Sequence, residues 1–193
     1  MNWLKRLLTD PPPGWVFELS PAAVAVARTN GDGTVQMRDL PAEALSVTPQ
    51  ADNVAQPERL LEAIRELAPP QGDDRKRRRA ALILPDFSVR VTVLSFESFP
   101  SAAAEQANLV RHRLRRSVPF DVESALLDYA AQPRADRKGV EVVTALAPYE
   151  VVGRYEEPFR QCGFHPGHVT ISLLATLPQL PASGLALLAK LSG

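Results

Sequence analysis

The segment Ser117–Tyr129, reading S-V-P-F-D-V-E-S-A-L-L-D-Y, constrains the fold of this chain more than any other stretch. It follows a basic run, Ala102–Arg116, whose spacing predicts a helix. Pro119 disfavours helical geometry at Val118, so the helix has to stop before it. Val118 and Phe120 then supply an apolar plug at the helix exit, and Ala125–Tyr129 opens a strand. A helix passes into a strand through a turn whose place is set by one proline.

The rest of the chain provides neighbours for that strand. Trp15–Leu19 and Ala22–Arg28 read as strands joined at Ser20-Pro21. Asn30-Gly31-Asp32-Gly33 is a hairpin turn, because these residues tolerate positive φ, and Thr34–Leu40 is the third strand. Residues 41–56 are expected to be irregular and partly mobile. Pro57–Leu67 is a helix with proline in its first turn and Leu60, Leu61, Ile64 and Leu67 on one side. Further strands are expected over Ala80–Leu84, Val89–Phe96, Val140–Ala147 and Val169–Ser172. Further helices are expected over Pro148–Gln161, with Gly163 at the C-cap position, and over Ser183–Leu191. Met1–Leu8 reads as a short amphipathic helix stopped by Pro11–Gly14. No internal repeat is visible. Pattern alone predicts an α/β or α+β fold with a mixed sheet.

Charge and cysteine usage narrow the function classes. The chain has 193 residues and a formal net charge of +0, which argues against a dedicated nucleic-acid binder. Two basic clusters, Arg75–Arg79 and Arg111 to Arg116, read as solvated charge. Their functional reading is peripheral attraction to anionic lipid or to an acidic partner. The single cysteine rules out an internal disulfide. No apolar run reaches the roughly 18 to 20 residues that span a bilayer. The first residues also lack a signal-peptide pattern, so a cytoplasmic location is expected.

Four stretches carry a resemblance, in the same order along the chain. They are Trp15–Val26, the strands flanking Pro85-Asp86-Phe87-Ser88, Glu105–Tyr129, and Val140–Ser172. The last contains Ala147-Pro148-Tyr149-Glu150-Val151-Val152 and Gly163-Phe164-His165-Pro166. Together they resemble the PilM family, the actin-like proteins of type IV pilus assembly. The cytoplasmic part of the type II secretion protein GspL is similar more loosely. The resemblance implies the first half of an actin-like, ribonuclease H-like ATPase fold. Residues 15–84 and 169–193 would form the actin-like subdomain, 85–168 an inserted small α/β subdomain, and 1–14 a short helix and proline-rich linker.

PilM proteins that bind ATP carry a phosphate loop between the first two strands, with an Asp, a Gly, several serines and a Lys. Such a loop meets phosphate with close-approaching backbone N–H groups and positive charge. Here Glu18 stands at the Asp, Ser20 at the Gly, Pro21 and Ala22 among the serines, and Ala25 at the Lys. Pro21 removes a donor and Ala25 removes the cation, leaving Glu18 and Ser20 as degenerate cofactor-binding positions. The second half of an actin-like cleft is also missing from these residues. The expectation is no enzyme activity and no cofactor, with ATP and magnesium belonging to full-length relatives only. The alternatives are a nucleotide-binding actin-like ATPase whose second half lies outside this chain, or a GspL-like secretion domain.

Cys162, His165 and His168 form a C-x-x-H-x-x-H cluster that suggests a metal or a small α/β enzyme. Three ligands on one short turn lack a fourth, and Gly163, Pro166 and Gly167 account for the segment as a helix-to-strand turn, so no metal is expected. No G-x-S-x-G nucleophile motif occurs. Asp121 and Glu123 are expected to neutralise Arg115 and Arg116 or to cap the turn.

In the PilM family a cytoplasmic N-terminal peptide of the inner-membrane protein PilN docks in a groove between subdomains. The resemblance therefore implies a scaffold peripheral to the inner membrane, with a PilN-like partner and no nucleic acid. Phe87, Val118, Pro119 and Phe120 are the candidate partner-binding residues. Val118 and Phe120 equally suit a plain core role, where burial is worth roughly 1.5 to 3 kcal/mol each.

Overall fold

The computed structural model describes residues 12–50, 52–70, 78–134 and 138–180. The helices expected over Met1–Leu8 and Ser183–Leu191 lie outside the described residues, as do Arg75, Lys76 and Arg77. The chain falls into two compact units. Of the described residues, one takes those up to Leu45, those within Gln56–Pro85 and those from Glu156 onward; the other takes those within Ser46–Ala55 and Asp86–Tyr155.

The first unit is built on five strands, β1 (Trp15–Leu19), β2 (Ala23–Arg28), β3 (Val35–Asp39), β4 (Arg78–Leu84) and β8 (Phe164–Ile171), in the order β3-β2-β1-β4-β8. β3, β2 and β1 run antiparallel to one another, whereas β4 and β8 join in parallel. The first hairpin closes tightly through Ser20 N–H donating to the Ala23 carbonyl at 2.9 Å. In the second, Asp32 accepts from the Thr34 N–H at 2.9 Å, and Gly33 takes a φ of 81° that suits a residue without Cβ.

Helix α1 (Pro57–Leu67) buries Leu60, Ala63 and Ile64 and packs on β2 and β3. Phe17, fully buried, meets Phe159 and Phe164 edge-on at 4.9 and 5.0 Å between ring centres. Such aromatic pairing adds to the burial of large rings.

Two expectations need correction here. β4 starts at Arg78, inside the run read as solvated charge. Arg78 lies 3.9 Å over the Phe164 ring and donates to the carbonyls of Ala68 and Cys162, so its cation is spent on packing and backbone acceptors. β8 begins at Phe164 rather than Val169, despite Pro166 and Gly167. It is an edge strand, and its register shifts opposite Ala80/Ala81, so a proline and a bulge are accommodated.

The second unit is a two-layer arrangement. Strands β5 (Arg90–Phe96), β6 (Ala125–Pro133) and β7 (Val140–Pro148) form an antiparallel sheet in the order β5-β7-β6. Helix α2 (Ala103–Leu114) contributes Val110 and Leu114 to a core with Phe96, Val122, Ala125, Val142 and Leu146. α2 ends two residues before the expected Arg116, because the Ser117 N–H and hydroxyl both bond the Leu114 carbonyl, at 2.8 and 2.9 Å. Gly139 closes the β6–β7 hairpin with a φ of 151°, and a Cβ there would lie 2.4 Å from the Phe96 carbonyl oxygen. Helix α3 (Tyr149–Gln161) starts in this unit and ends in the first. A single helical turn, α4 (Ser172–Thr176), follows β8.

Candidate partner-binding surface

The sheet register decides which of the sequence-selected residues come together. β5 and β6 both pair antiparallel with β7, so they run in the same direction and start at the same end of the sheet. Phe87 sits on a 3-10 turn (Asp86–Ser88) just before β5. Val118, Pro119 and Phe120 precede β6 in the same way, with a second 3-10 turn (Val122–Ser124) between. Adjacent strands lie about 4.8 Å apart, so roughly 10 Å separates the two strand starts. All four residues thus belong to one end of the second unit.

They are not equivalent there. The Phe87 side chain is 81% exposed. Val118 and Phe120 are half-buried against the α2–sheet core, and Pro119 is exposed. Two residues that the sequence reading did not single out share this end of the sheet. Tyr149, the first residue of α3 as β7 finishes, is 55% exposed, and Leu126 on β6 is 41% exposed. The A-P-Y-E-V-V motif contains Tyr149, but only the burial of Val151 and Val152 shows that the tyrosine faces away from them into solvent.

The Phe87 turn is held from behind. Ser88, Asn53 and Tyr155 are all fully buried. Asn53 Nδ2 donates to Ser88 Oγ at 3.3 Å, and Ser88 Oγ lies 3.0 Å from the Tyr155 hydroxyl. Burial pushes the Tyr155 phenol above its ordinary pKa, partly offset by its bonds to Ser88 and Asn53. Asn53 also orders the segment expected to be irregular, accepting from the Thr48 N–H at 3.2 Å while its carbonyl accepts from the Ser46 N–H at 2.9 Å. An exposed aromatic on a turn fixed this firmly loses little further freedom when it is covered by another molecule.

The acidic pair caps the turn and meets Arg115, one of the two arginines it was expected to neutralise. Asp121 accepts from the Glu123 N–H at 3.1 Å, and Glu123 pairs with Arg115 at 2.7 Å. Arg111 turns inward and donates to the Val122 carbonyl at 2.8 Å.

The other positions belong to the first unit. Glu18 is half-buried in β1, facing Ala25 and Ile83 in register. Ser20 Oγ both accepts from the Ala23 N–H and donates to its carbonyl. Pro21 lacks an N–H, and those of Ser20 and Ala23 are engaged within the turn. Cys162 is half-buried at the end of α3, its thiol 3.8 Å from the Leu61 carbonyl and its pKa pushed up by burial. His165 and His168 are exposed on β8. Among the described residues no group of three or more His, Cys, Asp or Glu side chains is placed to hold a metal ion, and no helix is long and apolar enough to cross a membrane.

The five-stranded mixed sheet and the second, three-stranded unit together make a mixed α/β fold similar to the actin-like fold of PilM. Over 86% of its length the chain matches a solved structure described as a PilM–PilN type IV pilus biogenesis complex, with a TM-score of 0.69 and 23% identity. Over 83% of its length it also matches the cytoplasmic domain of EpsL, an inner-membrane component of the type II secretion system of Vibrio cholerae, with a TM-score of 0.54 and 17% identity. The chain covers 49% and 58% of those two chains, so it spans about half the length of each. No protein-family model and no curated protein sequence matches it.

Proposed function

We propose that this chain is a non-enzymatic assembly module of a type IV pilus or related secretion system, acting at the cytoplasmic side of the inner membrane. In this reading it docks a cytoplasmic peptide of a PilN-like membrane protein. The fold shared with PilM, in a structure that includes PilN, supports the class of partner. The observation that carries the site is Phe87, exposed on a turn whose next residue is locked into a buried hydrogen-bond network. Anchors of this kind dominate binding energy at small interfaces. Pro119, Tyr149 and Leu126 supply apolar surface beside it. The poor fit of the β1–β2 turn to phosphate supports a role without nucleotide turnover.

The test is calorimetric titration of a synthetic peptide of the PilN-like N-terminus into the purified chain. Phe87→Asp is expected to weaken binding at least about thirtyfold, the effect of losing a 2 kcal/mol anchor. Phe87 is a better choice than Phe120, whose ring also packs on the core. Unchanged affinity in folded Phe87→Asp removes this surface from the site. Micromolar binding of ATP with magnesium would instead favour the ATPase reading.

A further inference from the structure

Each sheet leaves two edges, and the four edges are not treated alike. In antiparallel pairing, alternate residues of an edge strand turn their N–H and C=O outward. The hydrogen bond from the Arg134 N–H to the Gly139 carbonyl sets the phase of the β6–β7 ladder. The outward residues of β6 are then Leu127, Tyr129, Ala131 and Pro133, and those of β5 are Val91, Val93 and Ser95. β6 is guarded: Asp128 Oδ1 already accepts the Tyr129 N–H at 2.9 Å, and Pro133 has no N–H to offer. β5 has neither device. It contains no proline or bulge, its register is continuous, and Val93 is 57% exposed.

We propose that the docked segment adds to this sheet as a fourth strand along the outer edge of β5. The inference rests on Phe87 being the anchor of the partner site. β5 begins just after the Phe87 turn, so an extended segment held there is delivered onto the open edge. Its backbone pairs with Val91, Val93 and Ser95. Its alternate side chains extend the sheet face formed by Val91, Val93, Val143 and Ala145, so they are apolar. Arg90, exposed at the start of β5, has no ion-pair partner among the described residues and suits a carboxylate on the incoming segment. Strand addition of this kind takes affinity from backbone bonds and selectivity from alternate side chains.

Proline on an outward edge position removes a donor that the sheet does not use. With the same PilN-like peptide, Val93→Pro is expected to weaken binding at least tenfold with an unchanged far-ultraviolet spectrum, whereas Val93→Ala and Ala131→Pro on the guarded edge stay within threefold. A peptide N-methylated at alternate residues, side chains unchanged, is expected to lose binding to the unaltered protein. Amide exchange at Val91, Val93 and Ser95 is expected to slow on binding. If Val93→Pro and the methylated peptide bind normally while Phe87→Asp does not, strand addition is wrong and the docking reading stands. If the unaltered protein binds no peptide, both fall. A dimer in sedimentation that Val93→Pro abolishes assigns the edge to a second copy and overturns the proposal.

Discussion

The two sheets each leave one strand edge guarded and one open, and the proposed docking depends on how their open edges differ. In the five-stranded sheet, β8 is guarded by a bulge and by Pro166, while β3 is open, with Val35 and Met37 exposed on it. In the three-stranded sheet, Asp128 and Pro133 guard β6 while β5 is open. An open edge is a template for pairing with another chain. What distinguishes β5 from β3 is its neighbour. β3 follows a polar N-G-D-G turn, whereas β5 follows a turn presenting Phe87 and braced by Ser88, Asn53 and Tyr155. An edge by itself offers backbone bonds to any strand; an edge beside a preset anchor selects one.

The comparison can be strained from several sides. The largest expected effect is on the five-stranded sheet. Phe17→Ala should cost about 4 kcal/mol, because the ring is fully buried among aromatic neighbours. Urea denaturation measures this, and a loss below about 1 kcal/mol would show that the aromatic cluster is not what holds that sheet. Ser88→Ala comes next, at about 1 to 3 kcal/mol, since it strips a partner from two buried polar groups. Peptide affinity should also fall, by less than in Phe87→Asp; equal affinity would mean the anchor needs no bracing.

The smallest effect on stability is expected at the guard. Asp128→Ala should shift stability by no more than about 0.5 kcal/mol, as exposed positions usually do. It frees the Tyr129 N–H, however, so self-association should rise in sedimentation velocity at high concentration. Sedimentation identical to the unaltered chain would mean that Asp128 guards nothing.

Much of the fold was legible along the chain because its signals are local. N-G-D-G closes a hairpin, and the spacing of Leu60, Ile64 and their neighbours marks α1 over the residues where it forms. β8 was less legible: Pro166 and Gly167 read as turn residues, and only pairing with β4 makes a strand of them. Arg78 misled for a similar reason, since its charge suggested solvent while Trp15 and Phe164, distant in sequence, supply the rings it covers.

The candidate surface divides in the same way. Phe87 and the Val118–Phe120 plug are candidates through the resemblance to PilM, which implies a groove for a partly apolar peptide. That they share one end of a sheet follows only from strand register, because β7, which lies between β5 and β6, comes later in the chain than either. Phe87 and Phe120 are both phenylalanines in turns, yet one faces solvent and the other packs against the core of the second unit. Local chemistry fixes a tight turn and the apolar face of a helix. Exposure, edge position and the guarding of an N–H depend on which distant segments are nearby, and that is settled only when the chain has folded.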